Sequence, residues 1–292
     1  MTSSPTILEI LLDAPQLEVE CLDFRPDETF SCALASRLGN LIQRSVSLKC
    51  LGLNMHLHDM TPDLIESLRS ATHLQELSFW HQSGIPRSCG WFGAIFCGRL
   101  LQEHHPQSRL RYLSLTRMKL EDCHFIDLCQ VLPEAQIERL NVIYNRIGSR
   151  GILEFARQLP KIHGLKKVQI DENLWQSSLL DYRECVEALA WGMKENYCIE
   201  QLPLPTWHWK GSPKPHDRLL FYYMDLNRAG RRILLASNPT VPQGLWPLIF
   251  ERVGKILPSK RLGNILPFSS SSRALYYFLQ NRPSIIQSTR HE

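Results

Sequence analysis

The 292-residue chain carries 33 Lys/Arg against 29 Asp/Glu, a net charge of +4, with 43% hydrophobic and 21% charged residues. This is the composition of an ordinary soluble protein, and it excludes a membrane-spanning helix, because no run approaches the roughly 18 uncharged apolar residues one requires. The charge is unevenly divided: residues 1–204 hold 20 Lys/Arg and 25 Asp/Glu, net −5, whereas residues 205–292 hold 13 and 4, net +9, which places a boundary near 205.

Residues 1–16, MTSSPTILEILLDAPQ, lack a basic leader, and Glu9 and Asp13 interrupt their apolar part. They do not read as a signal peptide. The spacing of Ile7, Leu8, Ile10, Leu11 and Leu12 predicts an amphipathic helix that caps the open end of the repeated region beginning at residue 17.

Seven short apolar patterns lie between residues 17 and 204. They read Val19/Leu22/Phe24, Leu48/Leu51/Leu53, Leu74/Leu77/Phe79, Leu110/Leu113/Leu115, Ile137/Leu140/Val142, Leu165/Val168/Ile170 and Ile199/Leu202/Leu204. Their first positions are 29, 26, 36, 27, 28 and 34 residues apart. The last two residues of each set are two apart, so on a strand they point to one side. Helical spacing follows over 28–43, 62–71, 91–103, 121–132, 149–159 and 181–195. Thr61-Pro62 predicts an N-cap and a first-turn proline, and Ser149 and Asp181 are read as caps by the same logic. A single strand-turn-helix unit cannot bury an apolar face on each element alone, so the units must stack. The third unit inserts HQSGIPRSCG (81–90) and the sixth is long around Gln176–Leu180; both predict rim loops.

The fifth unit, IERLNVIYNRIGSRGILEFARQL (137–159), carries Asn145, Ile147, Gly148 and Gly151 at fixed offsets. It resembles the ribonuclease-inhibitor type of leucine-rich repeat, and the resemblance covers roughly residues 17–204. The resemblance implies an α/β fold: a right-handed solenoid, or horseshoe, with a parallel concave sheet and convex helices. The chain departs from the family at the turn. The full N-x-I-G occurs only in the fifth unit, and Asn54 alone stands for it in the second, so irregular turns are expected.

After Leu204, PLPTWHWKGSPKPHD is a connector, with Trp207 and Trp209 flanking His208 and expected to cover the open end of the solenoid. Apolar stripes over 217–226, 245–257 and 271–281 predict a small α-helical cap within the basic 205–292 extension. Its wording (DLNRAGRRIL, VPQGLWPLIFERV) is similar to extensions of leucine-rich-repeat proteins predicted from diatom genomes, which brings no established function.

No nucleophile elbow, phosphate loop, zinc-protease or dinucleotide motif is present, so no catalytic, cofactor-binding or metal residues are assigned and a non-enzyme is expected. Cys123, His124 and Cys129 have a C-H-x4-C spacing that lacks a second ligand pair. Cys32, Cys97, Cys129, Cys185 and Cys198 lie among apolar neighbours and read as buried reduced thiols, which suits a cytoplasmic or nuclear protein.

What remains is the concave face: Cys50, Gly52, Asn54; Glu76, Ser78, Trp80; Tyr112, Ser114, Thr116; Arg139, Asn141, Ile143; Lys167, Gln169, Asp171. Trp80, Tyr112, Arg139, Asn141, Lys167 and Gln169 are the candidate partner-binding residues, because aromatic and arginine side chains dominate interface energetics. Packing beneath the 81–90 loop is the alternative for Trp80, and a solvated charge ladder that for Arg139 and Lys167. The leading function is a monomeric protein-binding scaffold. A ubiquitin-ligase adaptor is an alternative, because Pro242-Gln243-Gly244-Leu245-Trp246-Pro247-Leu248-Ile249-Phe250 faintly resembles the opening of an F-box. A small-GTPase regulator is another, since the Ran GTPase-activating protein has similar repeats, although its acidic tail contrasts with the basic one here. Phosphate contact by Arg228, Arg231, Arg232, Arg252, Lys255, Lys260 and Arg261 would serve nucleic acid. A basic tail docked on an acidic repeat domain accounts for the same charges.

Overall fold

A computed structural model describes residues 12–24, 32–54, 61–80, 97, 100–101, 109–174, 179–203, 215–228 and 230–232. Strands and helices alternate: β1 (Cys21–Phe24), α1 (Cys32–Arg44), β2 (Cys50–Leu53), α2 (Pro62–Ser70), β3 (Glu76–Trp80), β4 (Tyr112–Thr116), α3 (Asp122–Val131), β5 (Arg139–Asn141), α4 (Ser149–Gln158), β6 (Lys167–Gln169), α5 (Leu179–Glu195) and α6 (Pro215–Arg228). Among the described residues six strands form one sheet in sequence order, each parallel to the next.

The register has no slip. Leu22, Leu51, Leu77, Leu113, Leu140 and Val168 stand opposite one another, strand by strand. From Leu51 onward these residues are no more than 2% exposed. Leu53, Phe79, Leu115, Val142 and Ile170 form a second fully buried ladder. These side chains share one core with the inner faces of the helices. Consecutive helices lie against one another: α1 on α2, α3 on α4, α4 on α5 and α5 on α6. Among the described residues no helix is long and apolar enough to cross a membrane.

The two ends differ from the sequence reading. Val19 is 43% exposed and is not a core position. Leu17 packs against the core instead, and its N–H donates to the buried Ser45 Oγ at 3.0 Å. At the other end the seventh pattern is reduced to one parallel bridge, Lys167 to Gln201, with Leu202 buried behind it. Of the predicted 1–16 helix the structure describes only the end, where Leu12 is buried and its carbonyl accepts from Arg44 Nη2 at 2.6 Å. Of the 91–103 stretch, Cys97, Leu100 and Leu101 are described and buried. The 81–90 loop, Leu204, Trp207–Trp209, the 242–250 segment and the predicted helices 245–257 and 271–281 lie outside the described residues.

The turns are more regular than the sequence suggests. Arg117, Tyr144 and Glu172 each stand two residues past the second core position and adopt φ of 58°, 56° and 56°. Three different non-glycine residues thus accept the same left-handed conformation, which costs about 1–2 kcal/mol each. At Tyr144 and Glu172 the buried asparagine that follows supports it, whereas buried Met118 follows Arg117. Asn145 Nδ2 donates to the carbonyls of Leu115 (2.7 Å) and Val142 (2.8 Å), and its Oδ1 accepts from Leu120 N (3.0 Å). Asn173 repeats the arrangement with Val142 O (3.0 Å), Ile170 O (3.0 Å) and Ile147 N (3.1 Å). Asn173 lies three residues past Ile170, as Asn145 does past Val142. It is therefore the true counterpart of Asn145. Asn54, one residue past Leu53, is not.

Helix starts also need correction. Thr61 Oγ1 does accept from Leu64 N at 3.2 Å, with Pro62 in the first turn. Ser149, however, is already inside α4; the N-cap position is Gly148, with no side-chain bond of its own. The cap comes from the preceding unit. Asp122 Oδ1 accepts from Gly148 N (2.6 Å) and Gly151 N (3.0 Å). A Cβ at Gly151 would stand 2.8 Å from that oxygen, so glycine makes room for the carboxylate. Asp181 lies within the first turn of α5, which begins at Leu179.

Candidate functional site

Side chains that alternate with the buried ladders share the other face of the sheet. Register sorts them into rows. One row reads Cys21, Cys50, Glu76, Tyr112, Arg139, Lys167, and the next Asp23, Gly52, Ser78, Ser114, Asn141, Gln169. Trp80 stands beside Thr116 one step further on. The six candidate residues Trp80, Tyr112, Arg139, Asn141, Lys167 and Gln169 thus lie on one face, half-buried or exposed. Ser114 is the exception in the wider set, buried and 3.1 Å from Thr116 Oγ1.

The charges in these rows are organised by neighbouring strands. Arg139 forms an ion pair with Glu76, two strands away, and its guanidinium lies 4.6 Å over the Tyr112 ring between them. The arginine is therefore held in place before any partner arrives, in contrast to a freely solvated ladder. A parallel row just before the strands pairs Lys166 with Glu138 (2.8 Å) and Arg111 with Glu138 (3.8 Å). Asn141 Oδ1 accepts from Ile143 N at 3.1 Å, which fixes its amide.

Toward β1 the face deepens into a groove of about 640 Å³ lined by Cys21, Asp23, Cys50, Gly52, Glu76, Ser78, Trp80, Thr116, Arg117 and Tyr144. Trp80 lies across β2: a Cβ built on Gly52 would meet its Cη2 at 2.6 Å. Gly52 is thus the space the indole occupies. Arg117 stacks over the Tyr144 ring at 4.9 Å, a second arginine–aromatic pair. Sequence reasoning missed Arg117, Tyr144, Cys21 and Asp23. The first two stand past the strand, in the left-handed turn, where strand alternation no longer predicts direction. Cys21 and Asp23 were legible by alternation in the first pattern. Cys50 is pushed up to about 12, first by burial, then by its hydrogen bond with Cys21 and the charge of Glu76.

The stretch Cys123, His124, Cys129 is not an assembled ligand set. Cys123 is in a disulfide, His124 Nδ1 accepts from Glu121 N (3.1 Å) at the start of α3, and Cys129 is a buried free thiol. Burial pushes Cys129 and Cys97 well above the usual thiol value. Among the described residues no group of three His, Cys, Asp or Glu is placed to hold a metal.

Three arginines of the extension bind backbone. Arg231 is 5% exposed, donates to the carbonyls of Met193 (3.3 Å) and Lys194 (2.6 Å) at the end of α5, and stacks on Tyr197 (4.5 Å) and Tyr223 (5.0 Å). Arg228 donates to Glu200 O (2.9 Å) and Arg232 to His163 O (3.3 Å). All three arginines are among the sequence candidates for phosphate contact; burial removes Arg231 from that role.

No family model matches the chain. No curated protein matches it either. Among solved structures it is similar to leiomodin-1 actin-binding site 2, at 13% identity and a TM-score of 0.37 over 78% of this chain and 94% of that one. It is also similar to the Caenorhabditis elegans tropomodulin C-terminal domain, at 12% identity and a TM-score of 0.40 over 70% of this chain and 99% of that one. At these scores neither overlay carries an argument about partner; the fold description rests on this chain's own register.

Proposed function

We propose that the protein is a non-catalytic scaffold that binds a protein partner. In this reading the stacked units form a horseshoe, the open sheet face is its concave surface, and the 81–90 loop extends it at the rim. The 205–292 extension closes the last unit. The observation that carries the reading is the strand register, which sets Trp80, Tyr112, Arg139, Asn141, Lys167 and Gln169 on one open face beside a groove. Arginine and aromatic groups desolvated together are the usual energetic centre of an interface. Here they are pre-ordered by Glu76 and Gly52, which lowers the entropy lost on binding.

The test is affinity capture from a cell lysate with the wild type, the Tyr112→Ala/Arg139→Ala double variant, and Trp191→Ala as a control on the 60%-exposed indole of α5. Loss of the captured protein in the double variant alone supports the reading. Capture of the same protein by all three excludes the sheet face as its binding surface.

A further inference from the structure

We propose that Cys21 and Cys50 form a thiol modification site, a vicinal dithiol on the open sheet face that is oxidised to a disulfide by exchange with a low-molecular-weight disulfide of the glutathione class. The two residues are direct partners in the register of β1 and β2. Adjacent strands stand about 4.8 Å apart, within the roughly 4.4–6.8 Å between Cα atoms that a disulfide bridges. Both side chains line the same groove, and the Cys21 thiol lies near enough to push that of Cys50 up. Both are free, Cys21 exposed and Cys50 half-buried, whereas Cys97, Cys129, Cys185 and Cys198 are buried. A reagent in solvent therefore reaches this pair before those four.

The pair is asymmetric, which sets the order of events. Cys50 is held protonated by burial and by its bond to Cys21, so the exposed Cys21 is the attacking group. Its thiolate attacks one sulfur of the small disulfide, forms a mixed disulfide and releases one thiol. Cys50 then loses its proton to water and attacks the Cys21 sulfur, expelling the second thiol. The two cysteines lose two electrons and two protons; the small disulfide gains them and leaves as two thiols. Glu76, although paired with Arg139, still opposes ionisation of Cys50, so the second step is the slower one. The product ties β1 to β2 on the floor of the groove that Trp80 crosses.

The reduced full-length protein is incubated with oxidised glutathione, quenched by alkylation, digested with trypsin and mapped by mass spectrometry. Cleavage at Arg37 and Lys49 puts Cys21 and Cys50 on separate peptides, and fragmentation separates Cys21 from Cys32 on the first. The expected result is a Cys21–Cys50 cross-linked peptide pair in the wild type. Cys50→Ser accumulates a stable glutathione adduct on Cys21, and Cys21→Ser slows modification of Cys50 by at least about tenfold. A mixed disulfide on Cys21 that persists in the wild type without the cross-link overturns the proposal. So does modification of Cys50 at an undiminished rate in Cys21→Ser. The wild-type cross-link is read without any substitution.

Discussion

Two sets of buried asparagines do the same chemistry in different parts of the molecule. After the strands, Asn145 and Asn173 each donate to carbonyls of their own strand end and of the preceding one. Before the last strand-like pattern, Asn196 donates to Leu159 O (2.8 Å) and Ile162 O (2.8 Å) and accepts from Cys198 N (3.0 Å) and Ile199 N (2.9 Å). Asn227 in α6 then donates to Asn196 O (3.1 Å) and Ile199 O (2.9 Å). The first set lies at a repeated offset, 28 residues apart. The second does not repeat as asparagine: the positions equivalent to Asn196 are Gln16, Ser45, Ala71, Gln107, Glu134 and Ile162. The turn after a strand must pass the chain across a neighbour of similar geometry, so the asparagine recurs after β5 and β6, although Met118 holds its place after β4. The return from a helix meets a different helix length each time, so each solution is local. In both places buried carbonyls need donors, and an amide side chain supplies two.

The largest test removes one side of this comparison. A chain ending at residue 203 lacks Leu220, Met224, Asn227 and Arg231, all buried against the last unit. It should lose several kcal/mol or unfold without a cooperative transition, by thermal melting followed by circular dichroism. An unchanged transition would exclude a capping role for the extension. Leu140→Ala comes next, with a loss of about 2–5 kcal/mol in urea unfolding, because a fully buried ladder residue is truncated. A loss below about 1 kcal/mol would contradict the stacked register.

Asn145→Ala should lose about 1–3 kcal/mol by leaving Leu120 N–H and the Leu115 carbonyl without this partner. Asn145 and Asn173 share the Val142 carbonyl, at 2.8 and 3.0 Å. A double-mutant cycle between them should therefore show coupling above about 0.5 kcal/mol, while Asn145 with Asn227 should be additive within that margin. Additivity in both cycles would mean that the two sets do not differ in connectivity. Asp122→Ala should cost about 0.5–2 kcal/mol, the usual loss of an N-cap, although the cap acts across units.

The smallest effect concerns the third unit, where His73 faces the Ile42 carbonyl just before β3. Burial holds His73 below its usual value, against the opposing effect of that carbonyl. Its folded pKa is below the unfolded value of about 6.5, so protonation favours the unfolded chain. Stability should be flat above that pH and decline as pH falls through it. Melting temperatures of wild type and His73→Gln from pH 8 to 5 read this, with the variant declining less.

Most of the frame was legible because strand alternation and repeat length report burial directly. The six strands, α1 to α5 and the docked α6 all fall on sequence patterns. Val19 misled because the pattern marks spacing and not contact: Leu17, two residues earlier, packs on the core instead. Ser149 misled because the true cap, Asp122, lies 26 residues before Gly148 and reaches α4 only through stacking. The open-face rows were legible, since alternation sets direction within a strand. The Arg139–Glu76 pair spans two strands, and Trp80 resting on Gly52 depends on a side-chain rotation; neither has a local sequence signal.

The Asp122 cap limits how this chain can be shortened. The first helical turn of α4 is completed by a residue that belongs to another unit, so α4 is not a self-contained module. A deletion of residues 112–138, which removes β4 and α3 and joins residue 111 to Arg139, would keep every remaining strand pattern in phase. It would also take away the carboxylate that receives Gly148 and Gly151, leaving two glycines facing water or an empty space. Units that look interchangeable in sequence therefore carry an order, in which the fourth must precede the fifth.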